Sequence, residues 1–229
     1  MRTGSQSVQR SGLPGAGPRP WRLRRRCRGD SGAVMAEAAL VTPVFIFLVF
    51  GILEFGGSFR DYLTLNNGTQ TGARRASIAA NANDADWQIL TTINREMAAM
   101  PQSQIQRIVV FHANGPTSAV PSACLSGSSG SPGSGTPLWT NACNVYVTPT
   151  WNTWVATDFG CGTVIPSPDR FWCPTSRKYA AMGTNGPPDY VGIYIQIKHK
   201  FITGLFGPDQ TMTKSSIIQI EPQTLGVAG

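Results

Sequence analysis

Residues 33–57 read AVMAEAALVTPVFIFLVFGILEFGG, and this stretch decides how the rest of the chain is organised. Its charged residues are Glu37 and Glu54, and the sixteen positions between them, Ala38 to Leu53, are uncharged and mostly apolar. As a helix those positions rise about 24 Å, and the whole stretch about 37 Å. A bilayer core is about 30 Å thick, so the segment can cross a membrane with its glutamates near the two interfaces. A carboxylate at the end of an apolar helix is costly in lipid, which marks Glu37 as a functional position. Pro43, six residues on, is expected to kink or loosen the helix.

On the amino-terminal side, residues 1–32 hold eight arginines (Arg2, Arg10, Arg19, Arg22, Arg24, Arg25, Arg26, Arg28) against Asp30 alone. The chain carries +7 overall, so the remaining residues, with 11 basic and 11 acidic groups, are neutral. The basicity belongs to the leader and sets topology: residues 1–32 cytoplasmic, everything after Gly57 outside. A nucleic-acid binder would spread basic groups over a folded surface, and this body does not. Two other readings of the apolar segment are a cleaved secretory signal, although no A-x-A pattern follows Leu53, and a plain signal anchor. A cut after Gly32 would give Ala33 a new α-ammonium group one helical turn from Glu37. The two charges can then pair within a subunit or between neighbours. The plainer reading is a glutamate that snorkels to the interface.

The order of these features resembles the TadE-like family, minor pilins or pseudopilins of the tight-adherence (Flp-type) pilus and secretion system. The matching residues are the basic leader, Gly32-Ala33-Val34-Met35-Ala36-Glu37, then Ala39-Leu40-Val41-Thr42-Pro43 and Phe50-Gly51-Ile52-Leu53-Glu54-Phe55-Gly56. Gly72-Ala73-Arg74-Arg75-Ala76 and a late Glu221-Pro222 extend the likeness, which is strong over residues 29–80 and weaker over 105–123 and 188–222. The resemblance implies a prepilin-type peptidase cut after Gly32, with Glu37 as the position-five glutamate of processing and assembly. The residue after that glutamate is commonly aromatic in the family and is Ala38 here.

Beyond the span, Phe55, Phe59, Tyr62, Asn66, Thr69, Ala73, Ala76 and Ala80 recur at spacings of 3 or 4, a narrow stripe on a continuing helix. It is read as packing on the protein's own sheet, or else as a surface for other helices. Asn66-Asn67-Gly68 is a place where that helix can break. A second helix is signalled by Asp84 or Asp86 as cap, by Trp87, Leu90, Ile93, Met97 and Met100, and by Pro101 as its stop. The period then changes: Ile105–His112, Asn144–Thr148, Tyr190–Phe201 and Thr211–Ile220 read as strands, with a turn at Phe206-Gly207-Pro208-Asp209. In the third strand Val191, Ile193, Ile195 and Ile197 share one face, opposite Gly192, Tyr194, Gln196 and Lys198. The expected fold class is α+β: a transmembrane helix (33–57) after the leader (1–32), extracytoplasmic helices (58–101), and a β-rich head (102–229). The helices cover an antiparallel sheet.

The head carries a Gly/Ser loop, 126–137, and a Cys/Trp-rich insertion. Cys27 precedes the span and stays in the reducing cytoplasm. Cys124, Cys143, Cys161 and Cys173 lie outside, where two disulfides are expected. The preferred pairing, Cys124–Cys143 and Cys161–Cys173, closes two short loops. Zinc is disfavoured because no C-x₂₋₄-C pair is present, so no metal is expected. Trp139, Trp151, Trp154 and Trp172 form either a small core or a contact surface for glycans or proteins, with the core preferred.

Neither His112 nor His199 has metal spacing or an evident aspartate partner in sequence. No P-loop, G-x-S-x-G, H-E-x-x-H or dinucleotide fingerprint occurs. No catalytic residue and no cofactor is therefore nominated. The leading expectation is a non-enzymatic, single-pass protein of the cytoplasmic membrane that joins or primes a Tad-type assembly. Its partners would be the membrane, a prepilin-type peptidase and other pilin-like subunits. A tethered binding module using the Trp-rich loops is the second expectation, and an anchored envelope hydrolase the third.

Overall fold

A computed structural model describes residues 31–126, 143–148, 152–161, 167–179 and 186–221. Residues 1–30 of the leader, among them Cys27, the Gly/Ser loop past Ser126, Trp139, Trp151 and Pro222 lie outside the described residues. The chain divides into two units, Met1–Phe47 and Leu48–Gly229.

The first helix, α1 (Ser31–Ala79), supplies all the described residues of the first unit and continues into the second. It has the length and composition of a membrane-crossing helix. Pro43 lies inside it without ending it. Thr42, just before the proline, donates its hydroxyl to the Ala38 carbonyl at 2.6 Å. The helix also runs unbroken through Asn66-Asn67-Gly68, where the sequence allowed a break. Packing explains this: a Cβ on Gly68 would lie 2.6 Å from Met97 Cγ, and one on Gly72 would lie 2.7 Å from Ile93 Cγ1. These glycines let a second helix, α2 (Ala85–Glu96), cross close to α1. Ala80 ends α1 with a left-handed φ of 46° and turns the chain toward α2.

In the second unit, α1 and α2 cover a four-stranded antiparallel sheet of order β2-β1-β3-β4. Its strands are β1 (Ile105–Ala113), β2 (Cys143–Val147), β3 (Tyr190–Lys200) and β4 (Asp209–Gln219). All four lie within a residue or two of the expected bounds. β3 pairs with β1 through Ile108↔Ile195 and Val110↔Ile193, and with β4 through all eleven of its residues, Tyr190↔Gln219 to Lys200↔Asp209. Val191, Ile193, Ile195 and Ile197 point at the helices and are buried with Leu65, Ala73, Ala76, Ile89, Leu90, Ile93, Met97 and Met100. Glu54 contacts the residues just beyond the carboxyl end of β3, and Ser77 contacts Gln219, which pairs with its first residue. α1 therefore runs antiparallel to β3 along the whole strand. That stretch of helix rises about 35 Å, which matches the roughly 37 Å of an eleven-residue strand.

The far face of the sheet is not purely polar. Val109, Phe111, Ala113 and Val145 form a second cluster there with Cys124 and Cys143, the former on a short helix α3 (Ser122–Ser126). Gly192 belongs to this face because the Phe111 ring lies across it: a Cβ would fall 2.1 Å from the ring. Disulfides join Cys124 to Cys143 and Cys161 to Cys173. The first ties α3 to β2, and the second closes a loop that contains the 3-10 turn Arg170–Trp172, with further such turns on either side at Ala156–Asp158 and Pro174–Ser176.

Candidate functional site

Ala33 and Glu37 are exposed on α1, and nothing crowds Gly32. From Leu48 on, the helix has an arrangement that its composition hides. The buried stripe of the first two turns beyond the apolar run is polar: Glu54, Ser58 and Asp61 are 1%, 8% and 2% exposed. Phe55, Phe59 and Tyr62, one position further on in each case, face outward at 63%, 62% and 43%. This corrects the first half of the expected stripe. The second half, Thr69, Ala73, Ala76 and Ala80, is buried as read. The helix is thus inside out between residues 54 and 62, with its hydrogen-bonding groups toward the protein and its rings away from it.

Each buried polar group on that stripe has a partner far along the chain. The Glu54 carboxylate accepts the Ile202 amide at 3.0 Å, together with the Thr203 amide and, at 2.7 Å, the Thr203 hydroxyl. Ser58 donates to Gln210 Oε1 at 3.3 Å. Asp61 Oδ2 lies 2.7 Å from His199 Nδ1, with both side chains nearly sealed from solvent. These contacts meet the requirement that a buried charge be paired or hydrogen-bonded. They also leave the outer face free to be apolar. Between this part of α1 and β4 lies an open groove of about 750 Å³, lined by Phe55, Phe59, Tyr62, Met212 and neighbouring small or polar residues.

The second polar constellation lies inside the head. Asp86, a cap candidate by sequence, is fully buried and accepts from Asn144 Nδ2 at 2.7 Å, Tyr146 Oη at 2.7 Å and Arg177 Nη2 at 2.6 Å. Burial, reinforced by the adjacent Asp86 carboxylate, pushes the Tyr146 hydroxyl well above its ordinary range, so it stays a donor. The Arg177 guanidinium also lies 4.2 Å over the Trp172 ring. This network locks the Cys/Trp-rich segment onto α2 and β2 and presents no charge to solvent. Asp169 plays a local version of the same part: it accepts the Gly160 amide at 2.9 Å, the Cys161 amide at 3.2 Å and the Ser167 hydroxyl.

The tryptophans expected as a possible contact surface divide accordingly. Trp172 is 2% exposed and is an interior residue, which removes it from any outer surface. Trp154 is half-buried, edge-on to Tyr146 at 5.6 Å and to Phe159 at 6.2 Å. Both histidines have aspartate partners after all: Asp61 for His199, and for His112 the Asp189 carboxylate at 3.5 Å. Sequence could not reveal the former, since 138 positions separate the two residues. Among the described residues, no group of three or more His, Cys, Asp or Glu side chains is placed to hold a metal.

No curated protein and no solved structure matches the chain. The family whose model does match is described as TadE-like protein, over residues 32–74, and this chain is similar to that family along α1, from the Gly32 that precedes Glu37 to the turns that pack on the sheet.

Proposed function

We propose that this protein is a membrane-anchored, non-enzymatic pilin-like subunit that takes part in assembling a Tad-type pilus or secretion apparatus. In this reading residues 1–32 form a cytoplasmic leader that a prepilin-type peptidase removes after Gly32. Residues 33–57 hold the mature protein in the cytoplasmic membrane, and the head lies outside. The new Ala33 ammonium pairs with Glu37 of the same or a neighbouring subunit, a contact strengthened by the low dielectric around it. Other pilin-like subunits meet the exposed side of α1.

The observation that carries the reading is the inside-out stretch of α1 within the TadE-like match. A helix that turns Glu54, Ser58 and Asp61 inward and Phe55, Phe59 and Tyr62 outward is built for apolar surroundings on its outer side, lipid or a neighbouring helix. The head supports an extracytoplasmic location through its two disulfides. The buried Trp172 weakens the alternative of a Trp-rich binding surface.

Two measurements test it. Amino-terminal sequencing of the mature protein from its native membranes should find Ala33 first. A start near Met1 would overturn the processing, and a start beyond Gly57 would overturn the anchored subunit altogether. Glu37→Ala should leave the head folded and oxidised while reducing pilus or secretion output, and normal output in that variant would refute the assembly role of Glu37.

A further inference from the structure

The loop between β3 and β4 carries an apolar cluster that the head itself does not use. Ile202 is 84% exposed, Leu205 46% and Phe206 43%, all within a five-residue tip. The tip is held in place: Glu54 accepts the amides of Ile202 and Thr203, and the Phe206 ring lies 5.1 Å from Phe55 and 6.2 Å from Phe201. An ordered loop that exposes its largest apolar side chains needs an apolar surface to meet.

The position of the tip says which surface. Glu54 closes the uncharged run Ala38 to Leu53, and Leu48, Ile52 and Leu53 just before it are exposed on the helix. The tip therefore sits beside the point where the apolar helix ends, and its side chains continue the same apolar surface sideways. Next along α1 come the outward Phe55 and Phe59, then the exposed Arg60 and the outward Tyr62, whose ring and hydroxyl suit a membrane interface. Lys200, exposed at the base of the tip, is placed for lipid phosphates.

We infer that the β3–β4 tip is a second membrane contact, in which Ile202, Leu205 and Phe206 enter the outer interface of the bilayer beside α1 and seat the head on the lipid surface. This rests on the reading of 33–57 as a membrane span. In it, the Glu54 contacts have a second consequence: they supply hydrogen bonds to a carboxylate at the depth where water becomes scarce.

The test uses the full chain reconstituted in vesicles of phosphatidylethanolamine and phosphatidylglycerol. A benzoylphenylalanine photo-crosslinker is placed singly at Leu48, Leu205 or Asn114, the last at the opposite end of the sheet. Mass spectrometry should find lipid adducts at Leu48 and Leu205 in comparable yield and at least tenfold less at Asn114. Combining Ile202→Ser and Phe206→Ser should cut the Leu205 lipid yield severalfold while leaving that at Leu48 unchanged. Adducts at Leu48 with none at Leu205, or Leu205 adducts to a second protein chain in place of lipid, would overturn the tip contact and leave the span standing. Absence of lipid adducts at Leu48 would overturn the span, and the tip contact with it.

Discussion

Substituting Asp86 by asparagine removes one charge from the most enclosed polar cluster of the head. The carboxylate is 0% exposed and is the charge partner of an equally buried Arg177, whose Nε and Nη1 have no partner among the described residues. The variant keeps an acceptor for Tyr146 and Asn144 but leaves the guanidinium charge uncompensated. Breaking a buried pair from one side costs about 3–5 kcal/mol. With a urea dependence of about 2 kcal/mol per molar for a domain of this size, the unfolding midpoint should fall by about 2 M. Tryptophan emission of the protein in neutral detergent micelles reports the transition, because the Trp172 ring lies 4.2 Å from the guanidinium carbon. Adding Arg177→Met to Asp86→Asn removes the stranded charge, and the double variant should recover about 2 kcal/mol relative to the sum of the single losses. A shift below about 0.5 M in Asp86→Asn, or strictly additive losses in the double variant, would refute the claim that this pair holds the Cys/Trp-rich segment to the helices.

Two further outcomes follow from the packing and the charges. Gly72→Ala should destabilise the head more than Gly68→Ala, as read from thermal midpoints: the new methyl meets the β-branched Ile93 at 2.7 Å in the first case and the pliable Met97 side chain at 2.6 Å in the second. Overpacking costs about 1–3 kcal/mol and the gain in helix propensity is about 1, so Gly68→Ala should come out near neutral. The third outcome concerns acid. Burial disfavours the Asp189 carboxylate, but hydrogen bonds from His112 and the Lys178 amide, with the positive charges of His112 and Lys178 nearby, outweigh it and lower its pKa. A lowered carboxylate contributes stability that is present above its unfolded pKa of about 4 and is lost as pH falls through the folded value. Asp189→Asn should therefore flatten the decline of the melting temperature on the acid side of pH 4, and an unchanged acid limb would count against it.

Much of the architecture was legible because it is periodic. The run from Ala33 to Gly57 states its helical, apolar character outright, and the α2 stripe and the alternation from Val191 to Ile197 each state their buried face within a few residues. Polar contacts between distant segments were not. Glu54 and Asp86 read as an interface charge and a cap, nothing in the sequence singled out Asp61, and their partners Thr203, Arg177 and His199 lie 91 to 149 positions away. The part Gly68 plays was hidden for a related reason: local propensity treats glycine as a breaker, whereas here its missing side chain is what lets Met97 approach. The outward placement of Phe55 and Phe59 was equally hidden. Assigning aromatics to a core assumes a watery exterior, and at the end of an apolar span that assumption fails.

The way α1 is fastened to the sheet also sets how the molecule bears tension. Its polar ties, Glu54 to Thr203, Asp61 to His199 and Ser77 to the Gln219 carbonyl, are spread over about 35 Å of helix that runs alongside β3. A pull directed along the helix axis strains all three at once, together with the apolar side chains packed between them. A pull directed away from the sheet would open them one after another, beginning at whichever end is lifted. A helix fastened in this way resists axial load far better than peeling, so the direction of a pull decides whether helix and sheet stay together.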